Sequence, residues 1–366
     1  MRFKKKIILI LSCFMVLTFG GCNKEIIEDT IIEETPLIEG SKDTTEKPEE
    51  AEEEEKDLKQ LINLSLKPNE AGEVMILMYH NIGEEEGEWT RTPENFKKDL
   101  LTLYEKGYRA VGLKDFVNNN MDLREGLTPV VITFDDGNEN NFRMIEDING
   151  ENIIDPNSAI GILEAFKEEY PDFNSTATFF VFGNNAFRQP EFLEYKLNYL
   201  IENGYDIGNH TIDHRGMKKV IDKEEIQEVI GRQVSAINKI LPEYKIDTYA
   251  LCYGERPKDK ELEQYLYKGT HNDIEYENIA ILNVGWNPAP SPISNKFNPK
   301  SLPRIRASEM KVDNVGLYNW LEYFEKNPEK RYISDGIKEI ITIPKAFEDN
   351  INKDKIKDKE LYIYEN

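Results

Sequence analysis

Five short apolar runs, at residues 74–79, 129–134, 177–182, 249–253 and 279–284, constrain this chain most. Each is the length of a buried strand and too short for a buried helix. Between them lie stretches with helical spacing, at residues 159–170, 191–203, 223–240 and 259–267. Another helix opens at Thr92-Pro93-Glu94, with apolar Phe96, Leu100, Leu103 and Tyr104 following at three- and four-residue steps. Strands that alternate with helices and are apolar on both faces predict a parallel α/β architecture, either barrel or open sheet. No internal repeat is visible.

The ends of the chain differ from this middle. Arg2, Lys4, Lys5 and Lys6 precede an apolar run at residues 7–19, and Gly20-Gly21-Cys22 follows. A basic start, a short apolar core and small residues before a break predict an export signal over residues 1–22. The core is shorter than the roughly 20 residues needed to span a bilayer. Residues 23–72 are acidic and poor in aromatics, with the run Glu52-Glu53-Glu54-Glu55, so they are predicted to be a flexible tether. The folded domain is expected over 73–345, and a charged surface tail over 346–366. The net charge of −23 disfavours nucleic acid and anionic lipid as partners and leaves a neutral or cationic polymer compatible. Of the three cysteines, only Cys252 falls in the expected domain, so no internal disulfide is available there.

Two clusters carry the chemistry. Asp135-Asp136 stands at the end of the run Val130-Val131-Ile132-Thr133-Phe134, at the strand end where barrel enzymes place their reactive groups. His210 and His214 are four residues apart, a spacing predicted to put both imidazoles on one face of a helical turn. Asp136, His210 and His214 then form a nitrogen, nitrogen, oxygen donor set. Three protein ligands and one open position are the pattern of catalytic zinc. Asp135 stays free beside the ion to take a proton.

With these motifs in view, the sequence resembles the NodB-type polysaccharide deacetylases, the family-four carbohydrate esterases. Their T-F-D-D-G motif stands intact at residues 133–137, and their H-[S/T]-x-x-H motif at residues 210–214. The resemblance extends through Leu77-Met78-Tyr79-His80, Ala177-Thr178-Phe179-Phe180-Val181 and Asn203-Gly204-Tyr205-Asp206. It implies a distorted (β/α) barrel. It also implies Asp135 as general base, with Asp136, His210 and His214 holding zinc or another divalent ion such as cobalt or nickel. The family's third motif, roughly F-R-P-P-Y-G, is here Tyr249-Ala250-Leu251-Cys252-Tyr253-Gly254. Tyr253 keeps the backbone N–H that completes an oxyanion hole, whereas Ala250 replaces the arginine that orients the base. The fourth motif, D-x-x-D-W, is replaced by Val284-Gly285-Trp286 leading to Leu302-Pro303-Arg304-Ile305. Arg304 becomes the candidate for the missing guanidinium, an ordinary surface arginine being the other reading. No histidine follows His271, so the family's C-terminal general acid is missing and His80 becomes its candidate. Departures at these motifs resemble the branch of the biofilm poly-N-acetylglucosamine deacetylases, and Gly20-Gly21-Cys22 resembles a bacterial lipobox.

The implied protein is a monomeric hydrolase anchored through a lipid on Cys22 at the outer face of a bacterial membrane, or secreted. It would remove acetyl groups from an amino-sugar polymer, with Tyr253 and Trp286 stacking on sugar rings. An O-acetyl esterase, and a catalytically weak glycan-binding homologue, are the alternatives.

Overall fold

The computed structural model describes residues 57–309 and 315–365. Its core is a parallel sheet whose main path contains seven strands. In chain order these are β1 (Met75–Tyr79), β2 (Thr128–Phe134), β3 (Thr178–Val181), β4 (Asp206–Asn209), β5 (Thr248–Ala250), β6 (Ala280–Leu282) and β7 (Ile305–Arg306). Their spatial order is β6-β5-β4-β3-β2-β1-β7. β1 runs beside β2 from Met75↔Val130 to Tyr79↔Phe134, and β3 beside β4 from Thr178↔Asp206 to Val181↔Asn209. The two edges meet through one short stretch: Leu302 bridges to Leu282 of β6, while Ile305 and Arg306 pair with Leu77 and Met78 of β1. That closure makes the sheet a distorted (β/α) barrel.

Alternation along the strands sorts side chains into two cores. Ile76, Val131, Phe180, Ala250 and Leu282 pack together on one face. Leu77, Val130, Ile132, Phe134, Phe179 and Ile207 point the other way, into the layer shared with the helices. Those helices are α1 (Pro93–Glu105), α2 (Ala159–Glu169), α3 (Leu193–Glu202), α4 (Lys223–Asn238) and α5 (Leu317–Lys326). Each contributes an apolar stripe, such as Phe96, Leu100 and Leu103 of α1 or Ile226, Val229 and Ile230 of α4. Thr92 caps α1 by accepting from the Asn95 N–H, with Pro93 in the first turn, as its sequence predicts. The predicted helix at 259–267 is a 3₁₀ segment, Lys260–Leu266, capped by Asp259.

Two boundaries shift. Residues 57–72, which composition assigns to the tether, are folded against the domain. Asn69 bridges to Ile333, the Glu70 N–H donates to Thr342 O at 3.0 Å, and Ser291 Oγ donates to Glu70 O at 2.6 Å. The C-terminal residues are likewise not a surface tail: β9 (Glu360–Tyr364) pairs in parallel with β8 (Ile340–Pro344), and Tyr364 is buried. Local charge concealed both, because the pairing partners are remote in sequence. The export signal, Cys22 and residues 23–56 lie outside the described residues.

Candidate active site

The residues singled out by sequence continue one face of the sheet past its strand ends. Val131, Thr133 and Asp135 share a parity on β2, and Ile76, Met78 and His80 share one on β1. His210 follows directly on β4. Side chains at the C-terminal mouth of a barrel are held by strands beneath and reached from solvent above.

Asp135 is almost wholly buried, at 1% exposure, and Arg304 is wholly buried, at 0%. Arg304 Nη1 and Nη2 donate to Asp135 Oδ1 and Oδ2, each at 2.7 Å, forming a two-pronged ion pair. Two further guanidinium N–H groups are also fixed: Nη1 donates to Thr133 Oγ1 at 3.2 Å and Nε to Asn283 O at 2.9 Å. Arg304 therefore comes from the stretch that closes the barrel and lies inside it. Burial pushes the Asp135 carboxyl up, but the Arg304 guanidinium opposes this by charge and by hydrogen bonding, and the carboxyl lies below the ordinary carboxylate range.

Beside it, Asp136 has φ +75°, a left-handed conformation unusual for a residue with a side chain. Asp136 Oδ1 is buried and has no hydrogen-bond donor among the described residues. It lies 3.5 Å from His210 Nε2 and 3.2 Å from His214 Nε2. His210 Nδ1 sits 2.8 Å from Ala250 O, which can only accept, so Nδ1 carries a proton; in the neutral imidazole Nε2 then presents its lone pair. His214 Nδ1 is tied to the Tyr253 hydroxyl at 3.0 Å, again leaving Nε2 inward. Two inward nitrogens and an unsatisfied carboxylate oxygen fit a divalent cation, and the fixed Nδ1 partners are the outer contacts such imidazole ligands usually have.

The predicted helical turn is absent. His210 to His214 form an irregular turn with Thr211 at φ +60° and His214 at φ +55°. Asn209 Oδ1 accepts from the Thr211 N–H at 2.8 Å and Thr211 Oγ1 from the Arg215 N–H at 2.9 Å, and these bonds shape it. The rings still converge, with centroids 4.8 Å apart. Cys252 also brings its Sγ within 4.8 Å of ligand-capable nitrogens of both histidines. Its thiol is buried, donates to His210 O at 3.3 Å and does not line the cleft, so Asp136 is the better third donor.

These groups open into a cavity of about 480 Å³ whose lining includes His80, Trp89, Tyr253 and Val284. His80 Nε2 lies 3.9 Å from Asp135 Oδ2, and its Nδ1 is buried without a partner among the described residues. Burial lowers the His80 pKa, and the Asp135 and Asp136 charges only partly oppose it. Tyr253 is 69% exposed at φ +55° on the cleft rim, and Trp286 is also exposed. Trp89, not singled out by sequence, packs 4.6 Å from the His80 ring and 4.6 Å under the Arg306 guanidinium. The available signal was a lone tryptophan in an otherwise acidic loop. His271 ends a hairpin strand and does not line the cleft.

Residues 125–269 match the family model described as polysaccharide deacetylase. YxkH of Bacillus subtilis (strain 168), a proposed polysaccharide deacetylase, is 24% identical over 166 residues, which are 45% of this chain and 51% of YxkH. The chain thus spans about half the length of that curated relative. BA0330, a proposed polysaccharide deacetylase from Bacillus anthracis, is 17% identical with a TM-score of 0.49, covering 66% of each chain. The Streptococcus pyogenes deacetylase PplD, in complex with acetate, is 17% identical with a TM-score of 0.47, covering 68% of this chain and 97% of its own. The family match includes Asp135, Asp136, His210, His214 and Tyr253, while His80 and Arg304 fall outside it.

Proposed function

From the polysaccharide deacetylase domain at residues 125–269, we propose that the chain is a metal-dependent hydrolase. It removes N-acetyl groups from an amino-sugar polymer such as peptidoglycan, a chitin-like oligomer or poly-N-acetylglucosamine. One observation carries this reading: Asp136 Oδ1, buried and without a donor, faces the Nε2 atoms of His210 and His214 beside the Asp135–Arg304 pair. The donor set suits zinc, with cobalt or nickel as alternatives. When bound, the ion supplies Lewis acidity to the acetyl carbonyl and lowers the pKa of an attacking water.

The chain's own groups do the rest. Asp135 is held ionised by Arg304 and accepts the proton of the attacking water, and the two-pronged pairing fixes the direction of its lone pairs. The Tyr253 N–H stabilises the oxyanion, a contribution that typically reaches several kcal/mol. The amide C–N bond breaks as the amine receives a proton, either from Asp135, which holds the one taken from water, or from His80, which faces Asp135 at 3.9 Å and would have to be charged first. The products are acetate and a free amine. Trp89, Tyr253 and Trp286 offer aromatic faces for sugar rings.

Residues 1–22 and 23–56 supply the setting in this proposal: an export signal ending in a lipidated Cys22, then an acidic tether, hold the domain outside the membrane. The test is acetate release from N-acetylglucosamine oligomers and peptidoglycan, with and without chelator. Chelation is expected to abolish release, and Asp135→Asn to lower it about 10²-fold or more. Equal release by variant and wild type contradicts the mechanism.

A further inference from the structure

Lys196 of α3 is fully buried, yet it enters no ion pair among the described residues. Its Nζ donates to Phe187 O at 3.1 Å and to Gln189 Oε1 at 2.7 Å. Glu139 and Glu191 act on it only from a distance, and burial lowers its pKa to about 8. A buried ammonium without a counter-ion is costly, and a methionine of similar length would fill the same space. The charge therefore calls for a use outside packing.

What it grips is a strained turn. Phe187 at φ +61° and Arg188 at φ +59° are consecutive left-handed residues with side chains, a conformation that persists only where surroundings impose it. The turn reaches the proposed metal ligands by one direct contact, to Asp136, and by two through the neighbours Gly137 and Phe182. The Phe187 N–H donates to Gly137 O at 2.8 Å, and Arg188 Nη2 donates to Asp136 O at 3.4 Å. The Arg188 guanidinium also lies 4.5 Å over the Phe182 ring, which packs 5.2 Å from the His214 ring. On the far side, Gly137 is pressed against β3 so closely that a Cβ there would fall 2.9 Å from Val181 Cγ1. The Asp136-Gly137 backbone is thus held between β3 and the Phe187-Arg188 turn.

We infer that Lys196 is a positioning residue for the metal centre: its ammonium fixes the Phe187-Arg188 turn that braces Asp136 and His214. The inference rests on the metal reading of the site, and the experiment separates the two. Full-length wild type and Lys196→Met are stripped of metal, and zinc affinity is measured by competition with a chromophoric chelator. The thermal midpoint of each metal-free protein is recorded alongside. The expected result is a zinc Kd about tenfold or more weaker in the variant, the scale of outer-contact losses at metal sites. Its metal-free midpoint is expected to equal or exceed that of wild type. If K196M does not fold, Lys196→Gln, which keeps a neutral donor but loses the charge, is expected to weaken zinc several-fold. A Kd within twofold of wild type in the folded variant overturns the role of Lys196 alone. A wild type that binds no zinc overturns the metal reading and this role with it.

Discussion

A carboxylate with almost no exposure is unfavourable unless something nearby stabilises its charge, and for Asp135 that partner is Arg304. Breaking such a pair leaves the surviving charge buried alone. Arg304→Ala is expected to destabilise the domain by about 3–5 kcal/mol and to remove most acetate release. Denaturant titration and the release assay check the two effects separately. Arg304→Lys is not expected to restore either, because an ammonium cannot grip both carboxylate oxygens. Unchanged stability and rate in Arg304→Ala would contradict the role. Much of this site was legible in sequence. Two aspartates at a strand end and two of four histidines at a fixed spacing are rare enough to stand out. Arg304 was legible only as a candidate, in the stretch that stands in place of the fourth motif, once Ala250 had displaced the expected arginine. Trp89 was not legible, because a single aromatic in a loop carries no periodicity.

The strands and helices were visible as apolar runs because both faces of a parallel sheet are covered, so burial writes itself into every residue. The barrel closure was not, since Ile305-Arg306 is two residues of pairing and gives no run to detect. The histidine turn was read as helical from its spacing, whereas the Asn209 and Thr211 side chains bend it another way. At the N-terminal edge, acidity hid a docked segment. Glu70 there is pushed up to about 8, first by burial and then by Asp335, against a hydrogen bond from Tyr332. Its folded pKa lies above its unfolded value, so its contribution is fully present below about pH 4.5 and is lost as pH rises towards 8. At about 1.4 kcal/mol per unit, several kcal/mol are at stake. Glu70→Gln, which cannot ionise, is expected to flatten the stability profile between pH 5 and about 8 and to gain most at the alkaline end. Parallel profiles for variant and wild type, measured by urea unfolding across that range, would contradict this.

For the whole molecule, if Cys22 carries a lipid as proposed, the acidic balance would keep the tethered domain off an anionic surface. Cys22→Ser is expected to move the protein from the membrane fraction into the medium without altering its acetate release, and immunoblotting of fractionated cells reads this directly. An ion that binds only the folded state also stabilises it, so chelation is expected to lower the thermal midpoint of the wild type. The most direct test is calorimetric titration of zinc into metal-stripped wild type and Asp136→Ala. One ion per chain in the wild type, and binding weakened at least a hundredfold in the variant, is the result expected. No binding by the wild type, or undiminished binding by Asp136→Ala, would contradict a centre built from this carboxylate and its two imidazoles.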